Sequence, residues 1–191
     1  GAYPDVVAAL FDAGARATSA KDFLAGRQPQ ILGIIRLFFD HSLDPNTSAS
    51  DGEPFLYLVS NPLSARDFLV RGADLNRCSP RLPSPLAIGG SPLTRAIAIV
   101  CREDVSRIEL LLTYGANLDS HLLFRAIAPR GTPLHRAIDL GPPNIIKVLL
   151  DAGADPLARP AGTRYYDESP FQMAERSQRP KKQDMLDLLQ S

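Results

Sequence analysis

An all-α solenoid of stacked helix-turn-helix units, joined by β-hairpin or loop fingers, is the fold class that this sequence predicts. One observation behind it is a closing signal that recurs as Gly14-Ala15, Gly72-Ala73-Asp74, Gly115-Ala116-Asn117 and Gly153-Ala154-Asp155, with a worn copy at Ser42-Leu43-Asp44. A second is the dense apolar run before each copy: Val6 to Phe11, Ile31 to Phe39, Phe68 to Val70, Ile108 to Leu112 and Ile145 to Leu150. A third is an opening signal, Glu53-Pro54-Phe55-Leu56, Ser91-Pro92-Leu93-Thr94, Thr132-Pro133-Leu134-His135 and Ser169-Pro170-Phe171-Gln172. Self-similarity of this kind means one supersecondary unit repeated along the chain, each copy burying its apolar face against the next.

Taken in order, residues 3–20 read as a partial first repeat. Tyr3-Pro4-Asp5-Val6 has the look of a second helix whose partner lies outside the sequence, as expected of a segment cut from a longer protein, with Gly1-Ala2 a cloning remnant. Residues 21–50 form a degenerate repeat and 51–80 a clearer one, with Glu53 where the other copies carry a hydroxyl. The unit at 89–120 follows a long finger rich in Pro and Ser (Arg77 to Gly90) and has an extended helix–helix turn around Ile99 to Asp104. The unit at 130–160 is the cleanest: Pro133 to Asp139 is its first helix, Gly141-Pro142-Pro143 its turn, and Asn144 the expected cap of a second helix over Ile145 to Ala152. Residues 167–191 read as a capping repeat, whose last helix, Lys182 to Gln190, turns Met185, Leu186, Leu188 and Leu189 inward and Asp184, Asp187 and Gln190 outward.

Each boundary has a local physical reason. The hydroxyls of Ser91, Thr132 and Ser169 can accept from orphan N–H groups of a first turn, and the following proline costs nothing at the first helical position. Ser169 with Gln172 reads as a capping box. Gly72, Gly115 and Gly153 sit where a helix ends in the left-handed region, which glycine reaches without a steric penalty.

With these motifs in place, the run Gly131-Thr132-Pro133-Leu134-His135-Arg136-Ala137-Ile138, followed by Ile145 to Asp155, resembles the ankyrin repeat, with its period of about 33 residues. The resemblance spans nearly the whole chain through several copies in register, so the expected fold is a single ankyrin-repeat domain over 1–191. It implies that Thr132 and His135 are structural, the imidazole tying neighbouring units together, and that Gly72, Gly115 and Gly153 are structural turns. It also implies a non-catalytic module that binds a protein or peptide through its concave face and fingers. The alternative is a regulatory or targeting arm of a larger enzyme or channel, packed against its own chain.

Composition narrows the function classes. The chain has 191 residues, 45% of them hydrophobic, and a formal net charge of zero, enough for a large core and without the basic balance that phosphate backbones require. No nucleic acid is expected as a partner. Arg179, Lys181 and Lys182 read as a solvated approach to the last helix. Cys78 and Cys101 lack metal or redox spacing and read as reduced thiols of an intracellular protein, cytoplasmic or nuclear. No apolar stretch is long enough to span a bilayer, and no signal peptide is visible. Asn46-Thr47-Ser48 reads as a turn rather than a glycosylation site. His41 and His121 have no metal spacing, and Gly89-Gly90-Ser91 lacks the remaining elements of a phosphate loop. No catalytic residue, cofactor or metal is expected, and the isolated segment is expected to be monomeric.

Matched position by position to the ankyrin pattern, partner-contact sites fall on Ser60, Asn61, Ala98, Ile99, Asp139, Leu140, Arg176 and Ser177. Finger positions fall near Ser50, Gly52, Ala87, Ile88, Ala128, Pro129, Tyr165, Tyr166 and Glu168. Arg164-Tyr165-Tyr166 stands out, because Tyr and Arg offer contact area with a polar tip. Arg125 and Arg130 lie in the finger before Thr132 beside Leu122, Leu123 and Phe124, a trio expected to fold beneath it while the arginines meet an acidic partner.

Overall fold

The computed structural model describes residues 9, 12, 30–49, 52–79, 90–99, 105–119, 131–159 and 168–191, with the side chains of Gln30, Ile31 and Ile99 outside the description. Among these residues the helices are α1 (Gln30–Asp40), α2 (Phe55–Leu58), α3 (Pro62–Val70), α4 (Pro92–Ile99), α5 (Ser106–Thr113), α6 (Pro133–Leu140), α7 (Pro143–Asp151), α8 (Pro170–Arg176) and α9 (Lys182–Gln190). The partial repeat at 3–20, apart from Ala9 and Asp12, lies outside the described residues, as do Cys101 and His121.

The helices form two layers. First helices α2, α4, α6 and α8 touch in succession, and second helices α1, α3, α5, α7 and α9 do the same. Each first helix also packs on its own second helix in the pairs α4/α5, α6/α7 and α8/α9. One hydrophobic core therefore runs along the stack, through Ile35, Phe55, Phe68, Leu93, Ile108, Leu111, Leu134, Ile145 and Leu149, each under 2% exposed. Ile145 and Ile146 on one turn of α7 and Leu149 on the next are all buried, as expected of a helix with neighbours on both sides. Met185 and Leu189 of α9 are buried, while Leu186 and Leu188 are only half-covered.

Gly72, Gly115 and Gly153 adopt φ of +87°, +86° and +93°. The worn copy keeps that conformation without the glycine, because Ser42 stands at φ +65°. The Ser169–Gln172 box is closed by two hydrogen bonds of 3.0 and 3.3 Å. At the finger bases Ser48 and Pro54 form one antiparallel bridge and Ser79 and Gly90 another.

One cap differs from expectation. α7 begins at Pro143 with Pro142 as its N-cap, so Asn144 lies within the first turn instead of capping it. The fixed φ of Pro143 suits the first helical position and starts the helix there. In the preceding unit with a short turn, the residue matching Pro142 is Asn61, and its Oδ1 does cap α3, accepting from Leu63 N–H at 2.8 Å and Ser64 N–H at 3.4 Å.

Candidate interaction surface

Stacking puts equivalent positions of the first helices in a row. Ser60 and Asn61 follow α2, Ala98 lies on α4, Asp139 and Leu140 end α6, and Arg176 ends α8. Ser60, Asn61 and Ala98 are half-buried; Asp139, Leu140 and Arg176 are exposed. Leu140 is 47% exposed, a large apolar side chain set beside charged neighbours. Arg176 pairs with Glu168 at 2.8 Å. Asn61 carries the cap described above as well as its surface position. Of the other expected contact residues, Arg125, Arg130, Arg164, Tyr165 and Tyr166 lie outside the described residues, as does the side chain of Ile99.

Beneath this row lie Thr132 and His135. His135 is 1% exposed. Its Nδ1 accepts from Thr132 N–H at 3.1 Å and lies 2.9 Å from Thr132 Oγ1, while Nε2 stands 3.0 Å from the Glu168 carbonyl oxygen. Since Nδ1 accepts from a backbone N–H, the proton of the neutral ring sits on Nε2, which donates to Glu168. Thr132 Oγ1 in turn accepts from the His135 backbone N–H, so the pair is a capping box with imidazole in the place usually held by a carboxylate or amide. Gly131 makes room for the ring: at φ +75°, an added Cβ would lie 2.5 Å from His135 Cγ.

Further ties between repeats have no counterpart in the sequence reading. Asn46 Nδ2 donates to the Gly72 carbonyl at 3.2 Å and its Oδ1 accepts from Asp74 N–H at 2.7 Å. Asn76 Oδ1 repeats the second contact one unit on, accepting from Asn117 N–H at 2.9 Å. Asp44, Asp74, Asn117 and Asp155 each accept from the N–H two residues on, at 2.8 to 2.9 Å. These Asx turns explain the third residue of the closing signal. Asn46 thus lies in a turn, its amide committed to the neighbouring unit.

The basic cluster at 179–182 is corrected in part. Arg179 Nη1 donates to the carbonyls of Ile138 at 2.8 Å and Gly141 at 2.7 Å, binding the C-terminal end of α6 where orphan carbonyls collect. Lys182 Nζ donates to the Glu175 carbonyl. Only Lys181 keeps the solvated role within the expected trio. Arg107 does for α2 what Arg179 does for α6, its Nη2 donating to the Leu56 carbonyl at 3.2 Å.

Among the described residues no three His, Cys, Asp or Glu side chains converge on a point that could hold a metal. Burial, and then the Asp74 charge, push the Cys78 thiol up, opposite to the shift an activated nucleophile requires. Among the described residues no helix is long and apolar enough to cross a membrane.

Comparison with known proteins agrees with this geometry. Residues 131–160 match the family model described as Ankyrin repeat. The chain has the ankyrin-repeat fold. A crystal structure of the ankyrin repeat domain of Bcl-3, described as a unique member of the IkappaB protein family, superposes with a TM-score of 0.73 at 24% identity. The match covers 98% of this chain and 77% of that one. No curated protein matches the sequence. Ankyrin-repeat domains are in general protein-interaction modules without chemistry of their own, and protein partners are the class that this fold suggests.

Proposed function

We propose that this chain is a non-catalytic module that binds a protein or peptide segment through its concave face and finger loops. The supporting observation is the row of partly exposed first-helix ends, Ser60, Ala98, Asp139, Leu140 and Arg176, backed by a continuous core. A row held by capped helices and inter-repeat clips is already ordered, so a docking segment spends little entropy on organising its receptor. On this reading the fingers add contacts through Arg125, Arg130, Arg164, Tyr165 and Tyr166, with Asn61 and Ile99 completing the row. The segment works as a monomer inside the cell, as one domain with a partial unit at 3–20 and units near 21–50, 51–80, 89–120, 130–160 and 167–191.

The test is affinity capture from source-cell lysate with wild-type bait and two variants. Asp139→Lys with Leu140→Asp changes the row; Lys147→Glu with Asp151→Lys reverses an exposed ion pair of 2.8 Å on the second-helix layer. A partner retained by the second variant and lost by the first supports the concave face. Loss with the second variant alone moves the binding surface to the other layer and overturns the proposal.

A further inference from the structure

The inference concerns Arg95 and Arg107, and it rests on the reading of the first-helix row as the partner-binding face. Arg107 is 5% exposed; its Nη2 is satisfied by Leu56, but its buried Nε and Nη1 have no hydrogen-bond partner among the described residues. Arg95, on α4, is half-buried, with its guanidinium 4.6 Å above the Tyr57 ring and its buried Nε likewise unbonded. The two cations repel. Burial first and then the Arg95 charge push Arg107 down to about 9, with Tyr57 acting in the opposite sense. Arg107 is therefore still charged at neutral pH. Buried charge of this kind is ordinarily paired, because an uncompensated ion in a low dielectric is costly.

The next repeat shows where a counter-charge belongs. Arg136 holds on α6 the position that Arg95 holds on α4, and Asp139, three residues on, pairs with it at 4.0 Å. Residues three apart share one helix face. Three residues after Arg95 stands Ala98, which has no charge to offer and leaves a half-buried surface position beside the arginine. Among its described residues, the repeat that carries two adjacent cations thus lacks the carboxylate that its neighbour supplies at this position.

We propose that Arg95 and Arg107 form a carboxylate-binding site on the concave face beside Ala98, which takes an aspartate or glutamate side chain of the bound protein segment. The carboxylate meets Arg95 directly, in the place Asp139 occupies beside Arg136, and Arg107 strengthens the field from below. Charge-assisted pairing with guanidinium in a partly desolvated setting makes this contact selective for acid over amide.

The experiment selects a displayed library of random dodecapeptides on the intact chain. The highest-ranked peptide is then remade with each Asp and Glu replaced by Asn and Gln. The proposal predicts acid-bearing peptides, at least tenfold weaker binding after the amide replacement, and no further loss when the amide peptide meets Arg95→Met. It also predicts that Ala98→Asp, which supplies the missing carboxylate from within, weakens the acidic peptide at least tenfold while leaving the Tm equal or higher. Arg107→Met also leaves the buried Leu56 carbonyl unpaired, so the Tm of the free chain falls, and the site predicts that Glu103→Gln with Asp104→Asn leaves it unchanged. Peptides that bind on the row but lose less than twofold on amide replacement overturn the site and leave the proposed function standing. A library that yields no binder overturns both. A fall in Tm for Arg107→Met, matched by an equal fall for Glu103→Gln with Asp104→Asn, means the cations are neutralised within the chain, and the site is refuted.

Discussion

Replacing His135 by leucine removes the hydrogen bonds between the 130–160 unit and the C-terminal capping unit while keeping an apolar side chain of similar bulk in the core. The imidazole serves Thr132 N–H and Thr132 Oγ1 at Nδ1 and the Glu168 carbonyl at Nε2. The hydroxyl can rotate to another acceptor; the N–H and the carbonyl cannot. A buried polar group left unpaired costs about 1–3 kcal/mol, so two such groups predict a loss of roughly 2–6 kcal/mol. For a chain of this size each kcal/mol shifts the Tm by about 2–4 °C. Urea unfolding followed by far-UV circular dichroism at 25 °C measures the loss, with an unchanged m-value as evidence of an intact cooperative unit. A split transition would locate a break between residues 132 and 168, the junction that His135 spans. A loss below about 1 kcal/mol, or a ring nitrogen spectrum with the proton on Nδ1, would refute the reasoning.

Three further substitutions test the framework. Ser42→Gly should stabilise the chain by about 1 kcal/mol, because Ser42 occupies the left-handed region at φ +65°; equilibrium unfolding would show the gain. Leu149→Ala should cost about 2–5 kcal/mol by leaving a cavity at a fully buried site of α7, read as a lower urea midpoint. Gly131→Ala sets a Cβ 2.5 Å from His135 Cγ at a φ of +75°, and should lower the Tm while shifting the His135 ring resonances.

Much of this fold can be read in the chain because its signals are local. A proline after a hydroxyl residue and a glycine after an apolar run act within one turn, so Thr132, Ser169, Gly72, Gly115 and Gly153 were each recognisable from neighbours in sequence. Even there, the cap of α7 was misplaced: Pro142-Pro143-Asn144 offers two competing starts, and the fixed φ of Pro143 decides between them. The long-range ties were not legible. Arg179 reaches carbonyls near residue 140, Arg107 reaches Leu56, and Asn46 reaches Gly72 and Asp74, each in another unit. Nothing beside Arg179 distinguishes a half-buried clip from a solvated cation, because the carbonyls it serves belong to another unit. The row of first-helix ends follows from repeat register, but the Arg95–Arg107 pair, without a counter-charge among the described residues, emerges only once burial and neighbours are known.

The most direct test of the central claim is hydrogen–deuterium exchange on the chain alone and in complex with its captured partner. The account predicts slowed exchange at the first-helix ends, around residues 60–61, 98–99, 139–140 and 176–177, with α7 and α9 unchanged. Protection confined to the second-helix layer, or none along the row, would contradict it.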